Sequence, residues 1–167
     1  KPSIESKTFK NSVTIYYNGW RKNGLGFIKK DSIKKNTDWI DKYKILIPKA
    51  WGSGDINSDR IKPFIASPNS CCTETYLVIG PFENIILAQN VSRFIESKFF
   101  HFLVSLTKNT QNAMKKVYQL VPLQDFTEQS DIDWSKSIAE IDKQLYKKYR
   151  QTKEEIGFIE SMIKPMD

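Results

Sequence analysis

Histidine and cysteine, the residues that most often hold metals or open covalent mechanisms, are nearly missing from this 167-residue chain, which has one and two of them. Cys71 and Cys72 are adjacent. Neighbouring cysteines rarely bridge each other and do not provide a CxxC metal spacing, so reduced thiols in a cytoplasmic protein are expected. His101 lies in the apolar stretch Phe99 to Leu106 and reads as a packing residue rather than a general base. Glycine is also scarce. Gly24-Leu25-Gly26 is too short to cradle a phosphate or dinucleotide, which needs further glycine at a helix start. There is no Asn/Asp-Pro-Pro-aromatic motif of the kind that holds a flipped base, so amino-methyl transfer is not expected of these residues. No apolar run approaches the roughly 20 residues of a membrane span, and no charged-then-apolar leader argues for export. Asp55 and Asp59 stand near Arg60 and Lys62, but nothing pins them to one strand, so an autonomous metal-dependent nuclease is the weakest alternative. The chain alone is therefore expected to be non-catalytic, with no cofactor or metal of its own. It opens on Lys1 rather than methionine, as expected of a piece of a longer protein.

What is present is core material and positive charge. Hydrophobic residues make up 40% and aromatics 13%, enough to fill one domain with a helical appendage. The net charge of +7 is unevenly spread. Residues 1–60 hold 13 Lys and Arg against 6 Asp and Glu, residues 61–120 hold 6 against 3, and residues 121–167 hold 7 against 10. A basic front with a mildly acidic tail suits an anionic polymer, because neutralised phosphates release counterions.

Periodicity implies an α+β fold: a small mixed or antiparallel sheet, a central helix pair and a C-terminal helical hairpin. Val13 to Tyr17 reads as a strand followed by an Asn18-Gly19 turn. Gly24 to Ile28 and Tyr43 to Ile47 read as further strands, the latter stopped by Pro48. Asp31 to Asn36 fits a helical turn. The stretch from Pro48 to Ser70 has little periodicity and reads as a long surface loop. Thr75 to Ile79 reads as a buried strand ended by Gly80-Pro81. Ile86, Ala88, Val91, Phe94 and Ile95, then Phe99, Phe102, Leu103 and Leu106, mark two consecutive helices with a break near Ser97. Val117 to Val121 reads as a strand closed by Pro122. Ser137 with Glu140 and Thr152 with Glu155 fit capping boxes at the starts of two final helices, lined by Ile138, Ile141, Leu145 and Tyr149 and by Ile156, Ile159 and Ile163. The expected division is residues 1–126 as the binding domain and 127–167 as the appendage.

The remaining chemistry is that of binding. Lys49-Ala50-Trp51-Gly52-Ser53-Gly54 joins a cation, a flat aromatic and flexible glycines. Such a loop can touch phosphate and stack or wedge, although Trp51 could equally anchor the loop to the core. Lys29, Lys30, Lys34 and Lys35 can track phosphates or simply be a solvated face. Lys108 to Asn112 supplies amides, and Gln111 is of the type that pairs with adenine; helix capping is the plain alternative for Asn109. The candidate DNA contacts are Lys22, Lys29, Lys30, Lys34, Lys49, Trp51, Ser53, Arg60, Lys62, Lys108, Gln111, Lys115 and Lys116.

Several segments together resemble one family. They are Pro48-Lys49-Ala50 with its Gly-Ser-Gly; Thr73 to Phe82; Ser97-Lys98-Phe99-Phe100; Lys108 to Asn112; and Val121-Pro122-Leu123-Gln124-Asp125-Phe126. The tail Asp131-Ile132-Asp133-Trp134, Leu145 to Tyr149 and Glu154-Glu155-Ile156 completes the set. This pattern resembles the C-terminal target-recognition region of bacterial type II restriction–modification proteins, in which an adenine methyltransferase-like part precedes a recognition domain. It is more loosely similar to the recognition domains of type I specificity subunits. The resemblance spans nearly the whole chain from Val13 and implies a module that reads double-stranded DNA. The parent enzyme would use S-adenosylmethionine and, if it cleaves, Mg2+. It also implies contact with the methyltransferase or nuclease part. A docking module of the same complex is the rival reading. The matched motifs would be scaffold, leaving the Trp51 to Ser67 segment as the better source of base contacts.

Overall fold

A computed structural model of the chain describes residues 3–49, 61–107 and 115–163, with backbone only at Lys115. The fold is α+β. It divides into two compact units, Lys1–Ile47 with Phe64–Ala88, and Pro48–Pro63 with Gln89–Asp167.

The first unit carries two three-stranded sheets where the sequence pattern suggested one. In the first sheet, β1 (Ser12–Tyr16) lies between β2 (Gly26–Lys29) and β5 (Ser70–Cys72). β2 runs antiparallel to β1 and β5 runs parallel to it, so this sheet is mixed. Val13 and Ile15 alternate into the core, as the period-2 pattern requires. Gly26 faces Ile15 across the pair. A Cβ there would fall 2.3 Å from Ile4 Cγ2 and 3.0 Å from Ile15 Cγ2, so any larger residue would force the Ile4 side chain to move. Between β1 and β2, the four-residue helix α1 (Trp20–Asn23) is bracketed by Gly19 and Gly24, both at positive φ (89° and 87°).

The second sheet places β3 (Tyr43–Pro48) between β4 (Phe64–Ala66) and β6 (Tyr76–Phe82), with β4 antiparallel to β3. As a central strand, β3 buries Lys44, Ile45, Leu46 and Ile47 in succession. The charge of Lys44 is accommodated because its three ammonium protons find three acceptors. Nζ donates to Lys42 O (2.8 Å), Ser70 Oγ (3.1 Å) and Ile40 O (3.3 Å). Burial lowers its pKa.

Three local expectations are corrected here. The stretch up to Ser70 is not all loop, since β4 forms within it. Its three residues pair with β3 through tertiary contact that no short-range period could reveal. β6 does not stop at Gly80-Pro81 but continues to Phe82, and most of it is half-buried rather than buried. It sits at the edge of the β4-β3-β6 order, the place in a sheet where proline is tolerated. Val117 to Val121 is not a strand. Lys115–Tyr118 is a 3-10 turn, and three of its carbonyls find donors outside any strand ladder. Gln119 N donates to Lys116 O, Val121 N donates to Tyr118 O, and Val117 O accepts Thr107 Oγ1. β-branched residues favour a strand only where a partner edge is available.

The second unit is helical. α2 (Ile85–Glu96), whose first turn falls at the unit boundary, is followed by α3 (Lys98–Ser105), and α4 (Ile138–Lys148) and α5 (Lys153–Met162) form the terminal pair. Ser97 separates α2 from α3 as the N-cap, accepting from Phe100 N. Both capping boxes form, each with its two reciprocal bonds. Phe94, Ile95, Phe99, Val104, Ile141, Leu145, Ile159 and Ile163 are buried. The segment before α4 is fastened to this core. Trp134 is 3% exposed and packs against Phe94 and Phe126, and its indole N–H donates to Asp125 O (2.9 Å) and Ser130 Oγ (3.0 Å). No helix among the described residues is long and apolar enough to cross a membrane.

Candidate nucleic-acid interface

The turn chemistry at Asn18-Gly19 and Gly24 forces the chain into the single turn of α1. That turn presents Arg21 and Lys22 to solvent while Trp20 tucks inward. Trp20 meets Tyr16 of β1 and Phe64 of β4 at ring-centroid distances of 5.0–5.3 Å for the pairs among the three. Tyr76 of β6 closes the group at 5.7 Å from Phe64. The indole N–H of Trp20 donates to the Tyr76 hydroxyl at 3.0 Å, fixing the orientation of both rings. All four rings are half-buried, and burial raises the Tyr16 pKa. The Arg21 guanidinium lies 5.0 Å from the Trp20 centroid and 5.3 Å from that of Phe64. Held over the π faces, it keeps its N–H edges available for phosphate oxygens or the O6 and N7 acceptors of guanine.

Of the sequence candidates in this unit, Lys22 is on α1 beside Arg21. Lys29 closes β2, Lys30 opens the 3-10 turn Lys30–Ser32, and Lys34 follows shortly after; all three are exposed. Each has a local partner. Lys29 lies 3.7 Å from Asp31, Lys30 is 2.7 Å from Asp41, and Lys34 donates to Asp31 O at 3.0 Å. These contacts are shallow, with the two ion pairs 44–77% exposed, and such pairs contribute only about 0–1 kcal/mol. An incoming phosphate can therefore compete for these lysines at little expense.

Lys49, Lys62 and Lys116 are exposed and belong to the second unit, as does Lys115 in the 3-10 turn. Trp51, Ser53, Arg60, Lys108 and Gln111 lie outside the described residues, as do Asp55 and Asp59. The structure thus groups Lys22, Lys29, Lys30 and Lys34 in one unit and places the other described candidates in the other.

Sequence reasoning overlooked Arg21, Trp20 and Tyr76. The signal was local for two of them, since Trp20-Arg21-Lys22 follows a turn dipeptide directly. For Tyr76 and Phe64 it was absent, because sheet pairing alone brings them to the indole. Among the described residues no group of three His, Cys, Asp or Glu converges to hold a metal ion. His101 is 5% exposed, within α3 and beside Phe100. Cys71 is half-buried, and burial pushes its thiol up to about 12, which makes it a poor nucleophile.

Comparison with family models, curated proteins and solved structures yields no match to this chain.

Proposed function

We propose that the chain recognises double-stranded DNA in a sequence-specific manner, as the target-recognition domain of a restriction–modification protein. The observation that carries this reading is the cation-capped aromatic cluster on the first unit. Arg21 is poised over Trp20 and Phe64, and Lys22 is exposed on the same turn. Exposed lysines and backbone donors would set the register on phosphates, while Arg21 and side chains of the Lys49 to Ser67 segment would touch base edges. S-adenosylmethionine chemistry, and any Mg2+-dependent cleavage, would belong to the parent enzyme. A cytoplasmic location fits the same reading.

Fluorescence anisotropy with a randomised pool of 20-bp duplexes tests it. Binding should weaken steeply with salt, the slope of log K against log[salt] being about −0.9 for each phosphate neutralised. Selection from the pool should converge on one site. No binding at low salt, or binding without enrichment, would overturn the proposal. Exchanging residues 49–67 in the parent and sequencing the modified sites locates the reading surface; unchanged specificity would remove that segment from it.

The docking reading draws on a separate observation. Leu123 is 95% exposed, and Leu106 (56%), Phe158 (55%) and Leu120 (47%) are also open on the second unit. If they cover the methyltransferase part, Leu123→Ser with Phe158→Ser abolishes co-purification while leaving duplex binding intact.

A further inference from the structure

The helical tail carries net negative charge, yet its two helices enclose a groove walled by cations. An open groove of about 530 Å3 is lined by Lys143, Tyr146, Lys147, Arg150, Gln151, Ile156 and Glu160. That volume is within the range of small-ligand sites. Its one carboxylate is already engaged. Glu160 accepts from the Tyr146 hydroxyl at 2.9 Å and is ion-paired with Lys98. Lys143 and Lys147 sit one helical turn apart on α4, so both project to the same side. Among the described residues neither they nor Arg150 makes a side-chain ion pair or hydrogen bond. The next lysine, Lys148, is by contrast tied to Asp131 and Gln124 at 2.7 and 3.0 Å.

The backbone at Arg150 adds an independent observation. α4 ends in a Schellman motif: Gln151 N donates to Tyr146 O (2.9 Å) and Arg150 N donates to Lys147 O (3.1 Å). Arg150 occupies the left-handed position of that motif, with φ 53°. Glycine is the usual occupant, because a Cβ is disfavoured there. The other described non-glycine residues at positive φ are Asn11, Asn36 and Asn69, the type that tolerates this conformation best. Among the described residues, a long cation stands at such a position only at the rim of the groove. Backbone strain held at one such point is a pointer to function.

We infer that this groove binds a phosphate-bearing anion, with Lys143, Lys147 and Arg150 holding the oxyanion and Ile156 and the Tyr146 ring forming an apolar wall. The inference goes beyond the DNA reading above and rests on the second unit alone. Phosphate oxyanions are the shared chemistry of two sources, a free polyphosphate and a nucleic-acid backbone. The test is NMR titration of the full chain, first with sodium tripolyphosphate and then with a 20-bp duplex, each against sodium chloride of matched ionic strength. Saturable shifts of the amides from Lys143 to Ile156 are expected. Lys143→Gln with Lys147→Gln should weaken binding at least about fivefold. Arg150→Gly should weaken it too while raising the thermal midpoint by about 2 °C, since glycine relieves the left-handed backbone. Shifts with tripolyphosphate identify a free ligand as sufficient. Shifts at these amides with duplex alone identify the nucleic-acid backbone as the source. No shift here with either probe, binding unchanged in the variants, or a lower midpoint for Arg150→Gly overturns the inference. Duplex shifts confined to the first unit, with no tripolyphosphate shift at the groove amides, would overturn it while leaving the DNA reading standing.

Discussion

Asp142 offers a prediction whose sign discriminates between two physical arguments. Its carboxylate, 2% exposed on α4, accepts the backbone N–H groups of Lys98 and Phe99, both at 3.0 Å. With Ser97 Oγ accepting Phe100 N, the first three donors of α3 are all satisfied by side chains. Two such bonds favour the ionised form, and burial opposes it. Burial prevails, with Glu160 of α5 adding to it and Lys98 of α3 subtracting, so the carboxyl is pushed from 3.8 up to about 6. A carboxyl that holds its proton more tightly in the folded chain stabilises folding fully below 3.8 and loses that contribution as pH rises through 6. The difference is worth about 3 kcal/mol at 1.36 kcal/mol per pH unit. Asp142→Asn keeps the shape and cannot ionise. Urea denaturation of both proteins at pH 3.5 and pH 7, monitored by circular dichroism, should show the stability difference moving by about 3 kcal/mol in favour of asparagine as pH rises. The exposed carboxylates Asp125, Asp133 and Glu140, held low chiefly by hydrogen bonds from Thr127, Ser135 and Ser137, act in the opposite direction but cancel in the subtraction. A difference independent of pH, or one moving toward aspartate, would refute the reasoning. The latter would mean that the two N–H bonds outweigh burial.

Other outcomes are expected elsewhere. Gly26→Ala should destabilise the chain by about 1–3 kcal/mol, because its methyl meets Ile4 and Ile15 on a paired strand; thermal denaturation measures this, and an unchanged midpoint would mean Ile4 simply swings aside. Lys44→Met removes one buried charge but leaves the Ser70 hydroxyl oxygen and the Lys42 carbonyl without this donor, while Ile40 O keeps the Ser70 N–H, so a loss of about 1–3 kcal/mol is expected in urea. Because burial lowers the Lys44 pKa, the unsubstituted chain should also gain stability relative to that variant as pH approaches 10.5. Arg21→Ala should reduce discrimination among duplexes by about 1–3 kcal/mol, whereas Lys22→Ala should weaken all duplexes alike and reduce the salt slope by about 0.9. Equal effects of the two would argue against a reading role for Arg21.

Elements whose determinants are local could be read directly. The two capping boxes, the α2–α3 break at Ser97 and the alternation of Val13 and Ile15 each depend on residues within a turn or a pleat of one another. Such interactions are satisfied by neighbours in sequence and survive in any tertiary setting. The lysines of the candidate surface were legible for the same reason, since exposure is the default for a cation.

Strand identity at Phe64–Ala66 and its loss at Val117 were decided by tertiary structure, because a strand exists only where a second chain segment offers its edge. The meeting of Tyr16, Trp20, Phe64 and Tyr76 beneath Arg21 depends on two sheets and a turn converging over 60 residues of sequence. The cationic groove likewise needs α4 and α5 side by side, with Lys98 of α3 taking Glu160 out of the balance. The sequence alone therefore determined the class of fold, the caps and the basic front. Which aromatic rings and which cations lie together was decided only by packing, since burial and partnership are properties of the whole fold rather than of any stretch of residues.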